Sequence, residues 1–241
     1  LHALSLILPM LKRKTILRSG FAILCILLVV LGIGYNTYRQ TLIKAAINEK
    51  AIRQMQIRCS DPWNKHAVDS AIHVLKTGDL VVRRGIDASS FLLSQLNKHD
   101  KKYSHCGLVL IENGYPFVYH FIGGEDNPNE KIRRDSASYF FSPRYNLAFG
   151  IYRFDSSYFD AAILATFIKQ QFALHKKFDM YFDLRSDDRY YCSEFVYKAL
   201  VKAGPTPCFI NTEKAMGYTY VGIDNLYQNA GTRMVWQVDF K

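Results

Sequence analysis

Along the second half of the chain, apolar positions alternate in some stretches and recur at helical spacing in others. The clearest alternation surrounds Asn113-Gly114. His105-Cys-Gly-Leu-Val-Leu-Ile-Glu112 lies before it and Tyr115-Pro-Phe-Val-Tyr-His-Phe121 after it. Asn-Gly between two β-rich runs predicts a hairpin closed by a two-residue type I′ turn. The turn sets the register, with Glu112 facing Tyr115, Val109 facing Val118 and Gly107 facing His120. Successive side chains of a strand point to opposite faces. His105, Gly107, Val109 and Ile111 therefore share a face with Pro116, Val118, His120 and Ile122. Pro116, which has no N–H to give, predicts that the second strand is an edge.

The remaining pattern reads as follows. Residues 64–76 form a helix, and Gly78-Asp79 turns into a strand at Leu80–Arg83. Asp87 caps a short helix over Ala88–Asn97, and Asn146–Phe154 is a strand. Asp155 caps a long helix from Ser156 to about His175. Phe195, Val196, Ala199 and Leu200 make the apolar face of a helix that starts near Cys192 and stops at Gly204-Pro205. A short helix near Asp224–Gln228 and a strand at Arg233–Phe240 end the chain. No internal repeat or low-complexity tract is present. The expected domain is α+β, with an antiparallel sheet and a cysteine-bearing helix. At about 180 residues it is large enough for one core.

The N-terminal part differs. Gly20–Gly34 is apolar and uncharged, and Ser19–Tyr35 makes 17 residues, the short end of a membrane-spanning helix. Lys12, Arg13, Lys14 and Arg18 precede it. A basic tail before an apolar run also suits a signal peptide, but no small-x-small cleavage site follows. The expected organisation is a basic tail at 1–18 and a single transmembrane anchor at 19–35. A juxtamembrane helix at 36–58 and a catalytic domain at 59–241 follow. Four Lys/Arg lie on each flank of the run, within 1–18 and within 36–53, so the positive-inside rule ties. The short basic tail favours an N-terminus in the cytoplasm of a bacterium, with the domain on the periplasmic side of the inner membrane.

Net charge at first suggests nucleic acid, at +10. Divided, residues 1–58 carry nine Lys/Arg and one acid, and residues 59–241 carry 22 Lys/Arg and 20 acids. The basicity belongs to the anchor and its flank, which sets nucleic acid aside. Cysteines at 25, 59, 106, 192 and 208 show no Cys-x-x-Cys. They form neither a disulfide framework nor a zinc signature, and neither metal nor cofactor is expected. A Cys59–Cys208 bridge is the one pairing worth testing.

Cys192 stands where its helix begins, at the positive end of the helix dipole, a setting that favours the nucleophilic thiolate. A thiol nucleophile needs a base held by a polar partner. His105 suits the base and His120, its diagonal neighbour, the orienting partner. Gly107 leaves room for the two imidazoles to meet. The backbone N–H of Cys192 suits an oxyanion donor. Tyr103, Tyr190 and Tyr191 are candidate substrate-binding residues. They belong to an aromatic group, with Tyr139, Phe140, Phe141, Tyr145, Phe178, Tyr181 and Phe182, that reads either as a groove for an acyl or peptide chain or as packing. Cys106 points away from His105 and reads as sheet packing.

Gly78-Asp79-Leu80-Val81, Tyr103-Ser104-His105-Cys106-Gly107-Leu108 and Tyr191-Cys192-Ser193-Glu194-Phe195-Val196-Tyr197 together resemble the YiiX/YebB-like group. These are NlpC-type, permuted papain-like cysteine hydrolases. The resemblance runs from about Leu75 to about Leu226, and His105 precedes Cys192, as the permuted order requires. It implies thiol chemistry on an amide or acyl bond, with Cys192 as nucleophile and His105 as base. Lecithin:retinol acyltransferase-like relatives also use two histidines, in keeping with His120 as third member. Cys106 departs from the plain apolar residue usual after the histidine. The expected substrates are peptidoglycan stem peptides or N-acyl and lipid amides. Acyl transfer from the same thioester and a non-catalytic membrane-tethered binding module are the alternatives. The oligomeric state is open.

Overall fold

The computed structural model describes residues 2–123, 127–204, 209–215 and 217–241, without the side chains of 2–26 and 88–89. Two compact units result, Leu1–Gln54 and Met55–Lys241. One helix, α1, runs over His2–Ser60, and its first unit is helix alone. Among the described residues no helix is long and apolar enough to cross a membrane. The expected transmembrane helix at 19–35 is thus without support from the structure, and the first part of its apolar run, 20–26, lies outside the described side chains. The Cys59–Cys208 bridge also falls outside, through Cys208.

In the second unit, Asp61 ends α1 and caps α2 (Pro62–His73) by accepting the Trp63 N–H at 2.8 Å. The helix starts two residues before the expected 64 because Pro62 suits its first turn, where a missing N–H costs nothing. Strand β1 (Leu80–Gly85) follows, and then α3 (Ala88–Ser94), capped by Asp87. Next come β2 (His105–Glu112) and β3 (Tyr115–His120). They pair with Val109 opposite Val118 and Glu112 opposite Tyr115, the register expected. Asn113 and Gly114 have φ of 51° and 85°, the left-handed pair that a type I′ turn needs.

Strand β3 is not an edge. Strand β4 (Arg133–Ser136) pairs with it from Phe117 to His120, so Pro116 lies just beyond the ladder, where its lack of an N–H is harmless. Helix α4 (Ala137–Phe140) and strand β5 (Asn146–Phe154) follow. The long helix expected from Ser156 is broken. Asp155 closes only a 3₁₀ turn at Ser156–Tyr158, and Asp160 caps α5 (Ala161–Ala173) through the N–H groups of Ala162 and Ile163. The short parallel pair β6 (Lys177–Phe178) and β7 (Arg189–Tyr190) leads to α6 (Cys192–Ala203). A hairpin of β8 (Glu213–Ala215) and β9 (Tyr218–Tyr220), helix α7 (Ile223–Tyr227) and strand β10 (Thr232–Asp239) complete the chain.

Six strands form one sheet in the order β10-β5-β1-β2-β3-β4, antiparallel throughout. Strand alternation divides the core between its faces. Cys106, Leu108, Leu110, Tyr119 and Phe121 meet Leu164, Ile168, Phe195, Val196 and Ala199 from α5 and α6. Val81, Val109, Val118, Phe149 and Ile151 meet Ala67, Val68 and Ala71 of α2, with Phe140 and Phe141. The Gly78-Asp79 motif has a structural task. Asp79 is buried and takes Arg153 in a two-pronged ion pair, both contacts 2.7 Å, tying the start of β1 to β5.

Candidate active site

Cys192 is the first residue of α6, and Tyr191 is its N-cap. The Glu194 carboxylate accepts the Tyr191 N–H at 3.2 Å, the backward half of a capping box. The Tyr191 hydroxyl accepts the Val221 N–H at 2.9 Å, and the Ser193 hydroxyl donates to the Val221 carbonyl at 2.7 Å. These bonds fix where the helix starts, and so where the thiol stands. Cys192 has the Cys106 side chain and the backbone N–H groups at the start of α6 as its polar neighbours. The neighbouring Cys106 thiol does most to hold the Cys192 thiol below its ordinary pKa, against the opposing effect of burial. Cys106, fully buried, is pushed well above its ordinary value by that burial and stays protonated.

His105 opens β2 and His120 ends β3, and both imidazoles lie on the sheet face that carries Phe140. His105 Nε2 and His120 Nδ1 are 2.8 Å apart. Gly107 makes the meeting possible, since a Cβ there would lie 2.9 Å from the His120 Cβ and 2.8 Å from the Tyr119 carbonyl oxygen. Beyond His120 stands Asp135 of β4, its Oδ2 3.0 Å from His120 Nε2 and its Oδ1 2.9 Å from the Arg133 guanidinium. Burial lowers His105 well below the ordinary histidine pKa, with Arg83, His120 and Arg133 adding to it. Burial likewise lowers His120 to about 4, although Asp135 pulls the other way. Both rings are neutral near pH 7.

Cys192 and His105 lie on opposite faces of β2. Helix α6 packs over the face of Cys106, and His105 lies on the other. Cys106, the residue after His105 in β2, is the one that neighbours Cys192.

Cys106 is core packing, as expected, and it also touches the candidate nucleophile, which its alternation alone did not show. The three tyrosines expected at a substrate groove are core side chains instead. Tyr103 is fully buried against Tyr152 and Tyr227, Tyr190 packs on Phe121, and Tyr191 spends its hydroxyl on Val221. In the aromatic group, Phe140 and Phe141 are buried, whereas Tyr139, Tyr145 and Tyr181 are exposed. Asp135 escapes sequence reading because Arg133-Arg134-Asp135-Ser136 has no apolar alternation to announce a strand.

The chain matches no family model, and no curated protein matches it. The class defined by fold and site is an α+β domain whose cysteine-headed helix packs on an antiparallel sheet with two paired histidines. Among solved structures it is similar to the crystal structure of the metalloprotein YiiX from Escherichia coli O157:H7. The TM-score is 0.55 at 19% identity, covering 68% of this chain and 97% of that one. The chain has a YiiX-like fold. Among its described residues no group of three His, Cys, Asp or Glu side chains is placed to hold a metal ion. His105 and His120 turn their nitrogens on each other rather than toward a common point, so this donor set does not fit a metal.

Proposed function

We propose that the chain is a membrane-anchored cysteine hydrolase that cleaves an amide or ester through a thioester. The observation that carries this reading is Cys192 at the head of α6, beside Cys106 of β2, the strand whose His105 is paired with His120. The site residues are Cys192 as nucleophile, His105 as base and His120 as its orienting partner. His105 takes the thiol proton, and the sulfur attacks the acyl carbon. The oxyanion is met by the Cys192 N–H, one of the donors that a helix start leaves unpaired. As the tetrahedral adduct collapses, the C–N or C–O bond breaks and the protonated His105 gives its proton to the leaving amine or alcohol. His105 then takes a proton from water, whose oxygen attacks the thioester and releases the acid and the thiol. Peptidoglycan stem peptides and N-acyl or lipid amides are the substrates this chemistry suits. The run at 19–35 serves as a single-pass anchor in a bacterial inner membrane, with the domain in the periplasm. Its uncharged composition supports the anchor, and the short basic tail ahead of it, in the order of a signal sequence, supports the placement.

The test is a thiol-directed acyl electrophile applied to the full chain near neutral pH, with adducts mapped by mass spectrometry. Cys192 is expected to be labelled first. Labelling that begins at Cys106 or Cys208 while Cys192 stays unmodified overturns the assignment.

A further inference from the structure

Asp135 is built into the site and has no part in the mechanism above. It lies on β4, across from Val118 and two residues along from Arg133, the residue opposite His120. Both its oxygens are used, one by His120 and one by Arg133. Its side chain is only 14% exposed. A carboxylate accepts hydrogen bonds and, when ionised, has none to give. Burial opposes its ionisation, but the bonds from His120 and Arg133 prevail and hold its pKa below the ordinary value.

The consequences run along the chain of contacts. An ionised Asp135 requires the proton of neutral His120 to sit on Nε2. His120 Nδ1 is then an acceptor, so the 2.8 Å contact requires a proton on Nε2 of His105. His105 Nδ1 is left with its lone pair, which is the form a base must have. Each link has one allowed direction, and the direction is set at Asp135.

We infer that Asp135 is a positioning residue that fixes the tautomers of both histidines and so prepares His105 Nδ1 to take the Cys192 proton. The inference rests on the hydrolase reading for the purpose of the tautomer, but not for its existence. Charged groups facing the imidazoles are Arg83 from β1 and Arg133 and Asp135 from β4. Of these, Asp135 alone is an acceptor. Arg133 also decides what an amide would do in its place. Its guanidinium would keep the amide oxygen at the Oδ1 position and turn the NH2 toward His120 Nε2. Asp135→Asn would then reverse the chain, moving the proton of His105 to Nδ1.

The experiment uses the full chain labelled with 15N-histidine, together with the rate of Cys192 alkylation by iodoacetamide as a function of pH. In the unsubstituted protein both rings are expected as Nε2–H tautomers. In Asp135→Asn, His105 is expected to become Nδ1–H, and alkylation near pH 7 to fall about 100-fold, the low end of a general-base contribution. Its pH profile should move to that of a plain thiol, and Asp135→Glu should restore the tautomers and most of the rate. Unchanged tautomers in Asp135→Asn overturn the inference. If that variant does not fold, an Nδ1–H ring at His105 or His120 in the unsubstituted protein overturns it alone. Tautomers that follow Asp135 while no acyl donor ever modifies Cys192 sink the hydrolase reading and leave this one standing.

Discussion

Glu194, two residues after the candidate nucleophile, is fully buried. Its Oε2 accepts the Tyr191 N–H, its Oε1 has no hydrogen bond among the described residues, and the Lys198 ammonium stands 3.7 Å off. Burial pushes its pKa up to about 8, with the Tyr191 N–H and Lys198 pulling the other way. In the unfolded chain the same carboxyl titrates near about 4.3. Across that window unfolding releases a proton, so stability falls as pH rises toward 8. His120 acts with the opposite sign. Its pKa is about 4 in the fold and about 6.5 in the unfolded chain, so its contribution is present above that range and is lost as pH falls through it. Glu194→Gln keeps an oxygen for the Tyr191 N–H and removes the alkaline loss. The variant should melt a few degrees higher than the unsubstituted protein at pH 8 and at nearly the same temperature near pH 5, read by calorimetry. A lower melting temperature at pH 8 would mean that the ionised carboxylate stabilises the helix start. At this scale the helix start at Cys192 and the shared face of His105 and His120 were legible, because helix-start position and hairpin register are local properties. Asp135 and the Cys106–Cys192 contact were not, because pairing between distant segments creates them.

The β2–β3 hairpin is the element that brings the imidazoles together, and Gly107 is its narrowest point. A Cβ there would lie 2.7 Å from Val118 Cγ1, 2.8 Å from the Tyr119 carbonyl oxygen and 2.9 Å from the His120 Cβ. The carbonyl is main chain and cannot swing aside, so an added methyl must push β3 away from β2 beside the histidine pair. Gly107→Ala should cost about 1–3 kcal/mol in denaturant unfolding, the usual scale of overpacking. It should also slow electrophile labelling of Cys192, because the His105–His120 bond is displaced. An unchanged unfolding midpoint and unchanged labelling would show that the strands do not need this close approach. The hairpin was readable because Asn113-Gly114 forces one turn and one register. Strand β4 was not, since its four residues are held by the ladder to β3 and by charge pairs rather than by an apolar face. The break between Asp155 and α5 was hidden by a rival cap. Both Asp155 and Asp160 precede helix-prone residues, and only packing decides which one starts the helix.

At the scale of the whole molecule, charge and apolarity separate along the chain. Residues 1–58 hold nine of the 31 Lys/Arg and one of the 21 acids, and the second unit is nearly balanced. The apolar run lies inside the helix over His2–Ser60, the state in which a segment in lipid satisfies its own backbone. Its side chains at Leu27–Leu31, Ile33 and Tyr35 are exposed, as are Leu42, Ile43 and Ile47 further along. Exposed apolar residues in such a row need a covering phase, and a bilayer supplies one at a favourable free energy for each Leu, Ile or Val. The basic residues before the run, Lys12, Arg13, Lys14 and Arg18, resist translocation. The topology that follows from the proposed anchor is an uncleaved segment with its tail in the cytoplasm and the second unit outside. N-terminal sequencing of membrane-extracted protein should find residues ahead of Gly20, and a reporter that is active only in the periplasm should work when fused after Lys241. Replacing Leu27, Leu31 and Ile33 with Lys should release the protein from membranes. A mature N-terminus near Asn36, a cytoplasmic C-terminus, or full retention of the triple-lysine variant would each refute the anchor. None of them would disturb the His105–His120 pair or the start of α6 at Cys192, which depend only on contacts within the second unit.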